Sequence, residues 1–247
     1  MRRFFTEPEN INENTAVILE DASHITKVLR MNSGDEILIF DGTGYEYLAR
    51  LTLVDKDRCV AEIISSSFSK QEPEIRVTIY QGIPKSDKME GIIQKSVELG
   101  VHSIVPVQMD RCVSKLDGGK KQAEKIKRWN KISVEAAKQC GRGILPQVEE
   151  PLSFKEAISK MTKSGLSIMP YEVLAGEDNS TLKNILSSTD EKEFSVIIGP
   201  EGGFSDGEAA IAKENGIHLV GLGPRILRTE TVSSAILAII LYEKNQM

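Results

Sequence analysis

A polar segment at residues 65–73, which is rich in serine and ends in Pro73, divides the chain into two parts with different apolar rhythms. Before it, short apolar runs are separated by turns such as Asp41-Gly-Thr-Gly44, where glycine tolerates the positive φ that tight turns demand. After it, short apolar runs alternate with amphipathic helices. The pattern therefore predicts a small all-β barrel over residues 1–70 and an α/β domain with a mainly parallel sheet over residues 74–247.

The apolar runs give the expected positions of the elements. Strands are predicted at residues 16–19, 36–40, 45–49 and 59–64, and in the second part at 75–80, 103–107, 166–169, 194–198 and 217–220. Helices are predicted at 87–99 and 119–140. Two capping boxes, Ser153-Phe-Lys-Glu156 and Ser205-Asp-Gly-Glu208, predict the starts of two more helices. We expect His218, inside an apolar run, to be a buried core residue.

Charge is distributed unevenly along the 247 residues, although the net charge is only −5. Residues 1–74 carry 8 Lys/Arg against 14 Asp/Glu, residues 85–142 carry 13 against 7, and residues 143–247 carry 9 against 15. The basic middle segment is typical of a surface that contacts phosphates, and equally of solvated helix faces. Charge alone leaves both interpretations open.

Composition excludes several classes of protein. Apolar residues make up 40% and charged residues 27% of the chain, as in globular proteins and unlike disordered or fibrous ones. The apolar run at 232–242 is about half the ~20 residues that a membrane-spanning helix needs, and Glu7 and Glu9 stand where a secretory signal would be apolar. We therefore expect a cytoplasmic protein that binds no membrane. The three widely spaced cysteines predict neither disulfides nor a metal site.

The motifs exclude several common catalytic chemistries. No histidine lies beside a nucleophile motif, no glycine-rich turn precedes Lys-Ser/Thr, and Gly221-Leu-Gly-Pro224 departs from the dinucleotide fingerprint at its proline. Three loops remain, each directly after a predicted strand: Met169-Pro-Tyr-Glu172, Ile198-Gly-Pro-Glu-Gly-Gly203 and Leu222-Gly-Pro-Arg-Ile-Leu-Arg-Thr-Glu-Thr231. Because open α/β sheets bind ligands at the carboxyl ends of their strands, these loops predict one shared pocket.

The last two loops, followed by an apolar C-terminal helix, resemble the SPOUT class of S-adenosylmethionine-dependent RNA methyltransferases. Other fragments occur in the same order as in the bacterial RsmE family: Met1-Arg-Arg-Phe-Phe5, His24-Ile-Thr-Lys-Val-Leu-Arg30, Phe40-Asp-Gly-Thr-Gly-Tyr-Glu-Tyr47, Lys85-Ser-Asp-Lys-Met-Glu90, Lys95-Ser-Val-Glu-Leu-Gly100 and Glu135-Ala-Ala-Lys-Gln-Cys-Gly-Arg142. Each fragment is a weak signal, but the ordered set is specific and covers nearly the whole chain.

The resemblance implies a fold, an activity and partners. The expected fold is an N-terminal PUA-like β-barrel that holds RNA, followed by a SPOUT α/β domain that ends in a deep trefoil knot, and the expected assembly is a homodimer. The expected activity is transfer of a methyl group from S-adenosyl-L-methionine to N3 of a specific uridine in 16S ribosomal RNA. The RNA would be met in the small ribosomal subunit or its assembly intermediate, as part of rRNA processing and ribosome biogenesis.

The resemblance also assigns roles to residues. The expected cofactor-binding residues are Met169, Pro170, Glu172, Ile198, Gly199, Pro200, Gly202, Gly203, Leu222, Gly223, Ile226, Leu227 and Arg228. The expected RNA-binding residues are Arg2, Arg3, Arg30, Lys85, Lys88, Lys95, Lys138, Arg142 and Arg225. Because N3 of neutral uridine carries a proton, catalysis needs a base and a group that stabilises negative charge. Arg228 is the expected electrostatic group, with Arg225 second, and Glu201 and Glu230 are candidate bases.

Two other functions stay open at this point. A methyltransferase of the same fold could modify a ribose 2′-hydroxyl of ribosomal or transfer RNA. The chain could also be a non-catalytic RNA-binding factor in ribosome assembly. The closely spaced glycines of the loops argue against the second alternative, because a pocket that binds nothing has no need of them.

Overall fold

The computed structural model describes residues 1–114, 118–174 and 180–247. The chain forms two compact units, of which the first comprises residues 1–72 and 137–145 and the second comprises residues 73–136 and 146–247. No pattern in the sequence indicates that residues 137–145 belong with the N-terminal unit. The boundaries 1–70 and 74–247 stay a prediction.

The first unit is built on one five-stranded sheet. Its strands are β1 (Arg2–Phe5), β2 (Thr15–Ile18), β3 (Glu36–Phe40), β4 (Tyr45–Val54) and β5 (Cys59–Phe68), in the spatial order β1-β3-β4-β5-β2. Only β1 and β3 are parallel. The hydroxyl of Thr6, just after β1, donates to the carbonyl of Val17 in β2 at 2.6 Å. The two edge strands therefore approach each other, so the sheet curls.

Four of these strands were predicted from the sequence. Strand β1 was missed, and β5 extends to Phe68, into the polar segment that was interpreted as a linker. The core of the unit consists of apolar side chains on one face of the sheet, including Ile37, Ile39, Ala49, Leu51 and Ala61. Their alternation along β3 and β4 is the period-2 pattern of a sheet with one buried face.

A buried ion pair fixes residues 137–145 in the first unit. Arg142 is 4% exposed, and its guanidinium contacts the Glu72 carboxylate at 2.7 Å. The other Glu72 oxygen accepts the backbone amides of Gly143 and Ile144 at 2.8 and 3.0 Å. Arg142 was predicted to contact RNA, and the structure corrects that interpretation, because a buried guanidinium cannot reach a phosphate in solvent.

Two other predicted RNA contacts are also engaged within this unit. The Arg3 guanidinium stacks 3.8 Å above the Phe40 ring, donates to the Glu46 carboxylate at 2.8 Å and donates to the Arg142 carbonyl at 2.6 Å. Lys138 contacts the Asp21 carboxylate at 3.1 Å. Arg3 therefore stabilises the unit, and Lys138 already has an anionic partner.

The second unit alternates strands and helices. Its elements are β6 (Arg76–Gly82), α1 (Lys88–Glu98), β7 (Ser103–Gln108), α2 (Gly119–Cys140), β8 (Gln147–Val148), β9 (Leu152–Ser153), α3 (Phe154–Met161), β10 (Leu166–Pro170), α4 (Ser180–Ser187), β11 (Glu193–Ile198), α5 (Asp206–Glu214), β12 (His218–Val220) and α6 (Thr229–Glu243). The last four residues of α2 are grouped with the first unit. Both predicted capping boxes are formed, at Ser153 and Ser205.

The strands of this unit form one parallel sheet with the order β12-β10-β11-β6-β7-β8, and β9 pairs with β7. The predicted α/β class with a mainly parallel sheet is therefore confirmed, whereas the trefoil knot stays a prediction. His218 was expected to be buried but is exposed, because β12 lies at the edge of the sheet. In the described parts of the chain, no helix is long and apolar enough to span a bilayer.

We expect Arg142→Met to destabilise the first unit by about 3–5 kcal/mol, because it leaves the buried Glu72 carboxylate without its counter-ion. The matched control is Arg50→Met, which breaks an exposed ion pair with Glu36 and should cost no more than about 1 kcal/mol. Hydrogen–deuterium exchange of β3 and β4 under native conditions measures both effects. Equal protection in the two variants would contradict the prediction.

Candidate active site

Three loops meet at the carboxyl-terminal end of the strands of the parallel sheet. Strands β12, β10 and β11 are neighbours in the sheet, so the loops that follow them emerge side by side. They enclose a cavity of ≈ 540 Å³. The described residues that line it are Lys88, Pro170, Tyr171, Glu172, Ile198, Gly199, Pro200, Glu201, Gly202, Gly203, Phe204, Leu222, Gly223, Arg225, Ile226, Leu227, Arg228, Thr229 and Val232.

Twelve of the thirteen residues predicted to bind the cofactor line this cavity, and Met169 is the exception. The Met169 side chain is fully buried and belongs to the core cluster that includes Phe154, Met161 and Ala212. Because successive side chains of a strand point to opposite faces, Met169 packs into the core while its neighbour Pro170 borders the cavity. The Met169 side chain therefore does not face the cavity, and a cofactor contact through the Met169 backbone stays a prediction.

Two glycines permit close approaches around the cavity. A Cβ on Gly82, at the end of β6, would lie 2.7 Å from the backbone nitrogen of Pro200, so a side chain there would push the loop after β11 away. Gly203 has φ +67° in the left-handed region, and a Cβ there would collide with the Glu172 carboxylate. Glycine at position 82 therefore lets β6 approach the loop after β11, and glycine at position 203 lets that loop pack against Glu172 in the loop after β10 without backbone strain.

A chain of buried hydrogen bonds connects the loop after β11 with the first turn of α6. The Thr229 hydroxyl donates to the Gly199 carbonyl at 2.7 Å and accepts from the Gln81 amide at 2.9 Å. Gln81, in β6, is fully buried and also donates to the Gly82 carbonyl at 2.9 Å. Three separate segments of the chain are thus held in register at the floor of the cavity.

The outer side of the same loop is held by residues that follow β7. The Arg111 guanidinium donates to the Gly202 carbonyl at 2.9 Å. The Ser205 hydroxyl donates to the Asp110 carboxylate at 2.7 Å, and the buried Glu208 carboxylate accepts the Asp110 amide at 2.9 Å. The loop is therefore supported from both sides, which limits its conformational freedom.

Lys88 and two carboxylates form a charged cluster beside the cavity. The Lys88 ammonium lies 3.1 Å from Glu201 Oε1 and 3.5 Å from Glu230 Oε2. Its hydrogen bond to Glu201 raises the pKa of Lys88 above the ordinary value. Burial alone would raise the pKa of Glu201, but hydrogen bonds from its own amide, Lys88 and the Lys85 amide hold it below the ordinary value.

The predicted catalytic residues thus have different positions. Arg228 and Glu201 line the cavity, as does Arg225, whereas Glu230 is not among the described lining residues and is connected to the cavity through Lys88. Lys88 was predicted as an RNA contact, but its ammonium lies between the two carboxylates. Of the other predicted RNA contacts, Arg2, Arg30, Lys85 and Lys95 are exposed.

Several cavity residues were given no role from the sequence. Phe204, Val232 and Lys88 in its observed position lie outside the predicted pocket loops. Tyr171 and Thr229 lie inside those loops, although neither was named as a site residue. Phe204 directly follows a predicted residue, so sequence adjacency could have identified it. Lys88 follows β6, and only knowledge that β6 pairs with β11 could have placed it here.

Residues 70–241 match the family model described as an RNA methyltransferase domain, and residues 20–64 match the RNA methyltransferase PUA domain. The chain is therefore a member of the RNA methyltransferases. It is 37% identical to ribosomal RNA small subunit methyltransferase E of Bacillus subtilis (strain 168), with 98% of this chain and 97% of that protein covered. Within the class, the chain belongs to the ribosomal RNA small subunit methyltransferase E family.

Other relatives agree with this assignment. The protein of the same name from Buchnera aphidicola (subsp. Acyrthosiphon pisum, strain APS) is 30% identical, with 94% of this chain and 89% of that protein covered. The crystal structure of a ribosomal RNA small subunit methyltransferase E from Neisseria gonorrhoeae bound to S-adenosyl methionine superposes with a TM-score of 0.83. That protein is 32% identical, and the match covers 98% of this chain and 97% of that chain.

We expect Thr229→Val to destabilise the second unit by about 1–3 kcal/mol, because the Gly199 carbonyl loses its donor in a buried environment. Thr231→Val is the matched control, since Thr231 lies in the same turn of α6 with an exposed side chain. Urea unfolding followed by the fluorescence of Trp129, the single tryptophan, measures both. Indistinguishable stabilities would show that the hydroxyl does not support the loop.

Proposed function

We propose that this protein transfers a methyl group from S-adenosylmethionine to N3 of a uridine in 16S ribosomal RNA. The observation that carries the proposal is the cavity between the loops after β10, β11 and β12, in a chain whose named relatives are small-subunit rRNA methyltransferases. The target atom follows from the resemblance to the RsmE family. The proposal places the enzyme in the cytoplasm, where it would meet small-subunit RNA during ribosome assembly.

The cavity fits the cofactor in size and chemistry. Its volume of ≈ 540 Å³ lies in the range of about 300–1,000 Å³ that is usual for small-molecule sites. Its walls combine the apolar side chains of Ile198, Leu222 and Leu227 with backbone groups of Gly199 and Gly223, which suits a flat base with polar edges. The bound cofactor supplies an electrophilic methyl group on its sulfonium sulfur.

The charged residues of the cavity suit the other half of the reaction. N3 of a neutral uridine can accept a methyl group only when its proton leaves, so negative charge develops on the base and its carbonyl oxygens. Arg228 and Arg225 line the cavity and are exposed, so either guanidinium can stabilise that charge. Glu201 and Glu230 are the carboxylates available to accept the proton. We assign the main electrostatic role to Arg228.

We propose that the RNA contacts a strip of lysines on α2 in addition to Arg2, Arg30, Lys85 and Lys95. Lys120, Lys127 and Lys131 are exposed and lie on one face of α2, opposite the buried side chains of Ile126, Trp129 and Ser133. This strip compensates for Arg3, Lys138 and Arg142, whose charges are engaged within the first unit. Ammonium groups of this kind bind phosphates without reading bases.

Mass spectrometry of nucleosides tests the proposed function. Small-subunit RNA from cells without the protein is incubated with S-adenosylmethionine and the purified enzyme, as naked RNA and as assembled subunits. We expect 3-methyluridine to appear. A 2′-O-methylated nucleoside would identify the alternative methyltransferase, and no new methyl group together with no calorimetric binding of S-adenosylmethionine would favour the non-catalytic assembly factor.

We expect Arg228→Ala to lower kcat by about 100-fold or more, as when a charge-stabilising donor is lost, while the affinity for S-adenosylmethionine changes less than about tenfold. Raising the pH should restore part of the lost rate, because more uridine is then ionised in solution. Arg225→Ala is the control from the same loop and should have a smaller effect on kcat. Single-turnover methylation across pH measures these rates. Loss of cofactor binding alone in Arg228→Ala would refute the catalytic assignment.

We expect the triple variant Lys120→Gln, Lys127→Gln and Lys131→Gln to weaken RNA binding and flatten its salt dependence. Each lost phosphate contact should reduce the slope of log K against log salt by about 0.7–0.9. The control removes three exposed lysines outside the basic segment: Lys155, Lys163 and Lys213. Fluorescence anisotropy with labelled RNA at several salt concentrations measures both slopes. Equal slopes for the triple variant, the control and the parent would exclude the strip from the RNA interface.

We propose that the protein is a homodimer that uses the outer face of α6. Most apolar side chains of this helix, including Ile236, Leu237, Ile240 and Leu241, are already buried within the chain. Ile239 and Tyr242 are 41% and 74% exposed and offer an apolar surface to a second copy.

We expect the double variant Ile239→Glu with Tyr242→Glu to be monomeric in light scattering at micromolar concentration, because it places two charges on this apolar surface. A parent protein that is monomeric and active would refute the dimer.

A further inference from the structure

One ammonium group lies between two carboxylates that come from different loops. Lys88 is the first residue of α1, Glu201 lies in the loop after β11, and Glu230 is in the first turn of α6. The Lys88 nitrogen is 3.1 Å from Glu201 and 3.5 Å from Glu230, so the two carboxylates are close neighbours. Lys88 and Glu201 both line the cavity.

The two carboxylates depend on Lys88 to different extents. Glu201 also accepts the backbone amide of Lys85, at 3.1 Å to one oxygen and 3.3 Å to the other. Glu230 Oε2 is buried, and among the described residues Lys88 provides its charge partner. Removal of the ammonium would take away the cation that lies between the two carboxylates, and the loss of its hydrogen bond would raise the pKa of Glu201.

The neighbouring charged residues form other contacts and do not take over the role of the Lys88 ammonium between the two carboxylates. On α1 itself, Glu90 pairs with Arg128 at 2.7 Å. Across the cavity, Arg225 and Arg228 follow β12 and Glu172 follows β10, and no ion pair joins these three to the Lys88 cluster in the described parts of the chain. Lys88 is also unsuited to act as the base, because its contact with Glu201 favours the protonated form.

We propose that Lys88 is a positioning residue for methyl transfer, which holds the Glu201 carboxylate ionised and in place beside Glu230, so that Glu201 can accept the proton that leaves uridine N3. The proposal rests on the proposed function for the identity of the reaction, whereas the ionisation of Glu201 is a property of the protein alone. It replaces the expectation that Lys88 contacts an RNA phosphate.

Loss of the Lys88 ammonium should shift the pH dependence of the activity in one direction. The Lys88 contact favours ionised Glu201, so its removal raises the pKa of that carboxyl. The activity of the variant should therefore be lost at a higher pH than that of the parent as the pH falls, and it should recover at alkaline pH. A residue that only contacts phosphate would instead raise the KM for RNA and leave the acidic limb of the kcat profile in place.

The experiment compares Lys88→Gln and Lys88→Met with the conservative Lys88→Arg and with Lys213→Met, which removes an exposed lysine from α5. Carboxyl carbons are titrated by NMR, with the Glu201 signal assigned from Glu201→Gln, and kcat is measured against pH with small-subunit RNA. We expect the Glu201 titration and the acidic limb of kcat to move up by about one pH unit or more in Lys88→Gln and Lys88→Met. Lys88→Arg should stay near the parent, and Lys213→Met should not shift either quantity.

The outcomes separate this proposal from the proposed function. If the parent methylates small-subunit RNA but neither the Glu201 titration nor the acidic limb moves in Lys88→Gln or Lys88→Met, the positioning role is wrong. A higher KM for RNA with an unchanged acidic limb of the kcat profile would show that Lys88 contacts an RNA phosphate, as the sequence predicted. If the Glu201 titration moves but the parent methylates no RNA, Lys88 does control the ionisation of Glu201 and the proposed function is wrong. Should Lys88→Met fail to fold, the titration of Lys88→Gln decides.

Discussion

The parallel pairing of β12, β10, β11 and β6 is the constraint on which the site depends. All four strands run in the same direction, so their carboxyl ends lie on the same side of the sheet. Loops from segments that are far apart in sequence therefore lie next to each other. The loop after β11 lies in the middle of this row. It is held by Thr229 on one side and by Arg111 on the other, and Gly82 lets β6 approach it closely. The strand order therefore determines where the cavity lies, and the side chains determine its chemistry.

Local patterns were sufficient to predict the elements that carry their own signals. The capping boxes at Ser153 and Ser205 specify helix starts through hydrogen bonds within one turn, and the three loops follow runs that are apolar enough to be buried strands. Strand β1 gave no such signal, because its four residues, two arginines followed by two phenylalanines, show neither an apolar run nor an alternation. The exposure of His218 and the burial of the Met169 side chain were unpredictable for a related reason. Burial depends on strand order and on the direction of each side chain, and a run of apolar residues in the sequence specifies neither.

The positions of the charged side chains were the least predictable property of the chain. Arg3 and Arg142 look like surface arginines in sequence, but their partners Glu46 and Glu72 lie 43 and 70 residues away. Lys88 is separated from Glu201 and Glu230 by a still longer stretch of chain. A count of basic residues in a segment therefore measures how much positive charge is present, and only the fold decides how much of it faces solvent. In this protein the fold uses part of the charge internally and leaves the strip on α2 outside.

The seven-strand sheet of the second unit ends in very short strands. Strand β12 has three residues at one edge, and β8 and β9 have two each at the other. An edge strand exposes unpaired amides and carbonyls on which another chain can build a further strand, and its length sets how firmly such an addition holds. Two or three residues offer too few hydrogen bonds for lasting cross-chain pairing. The edges of this sheet are thereby protected against fibre-like growth, so we expect copies of the second unit to associate through side-chain surfaces and not through these edges.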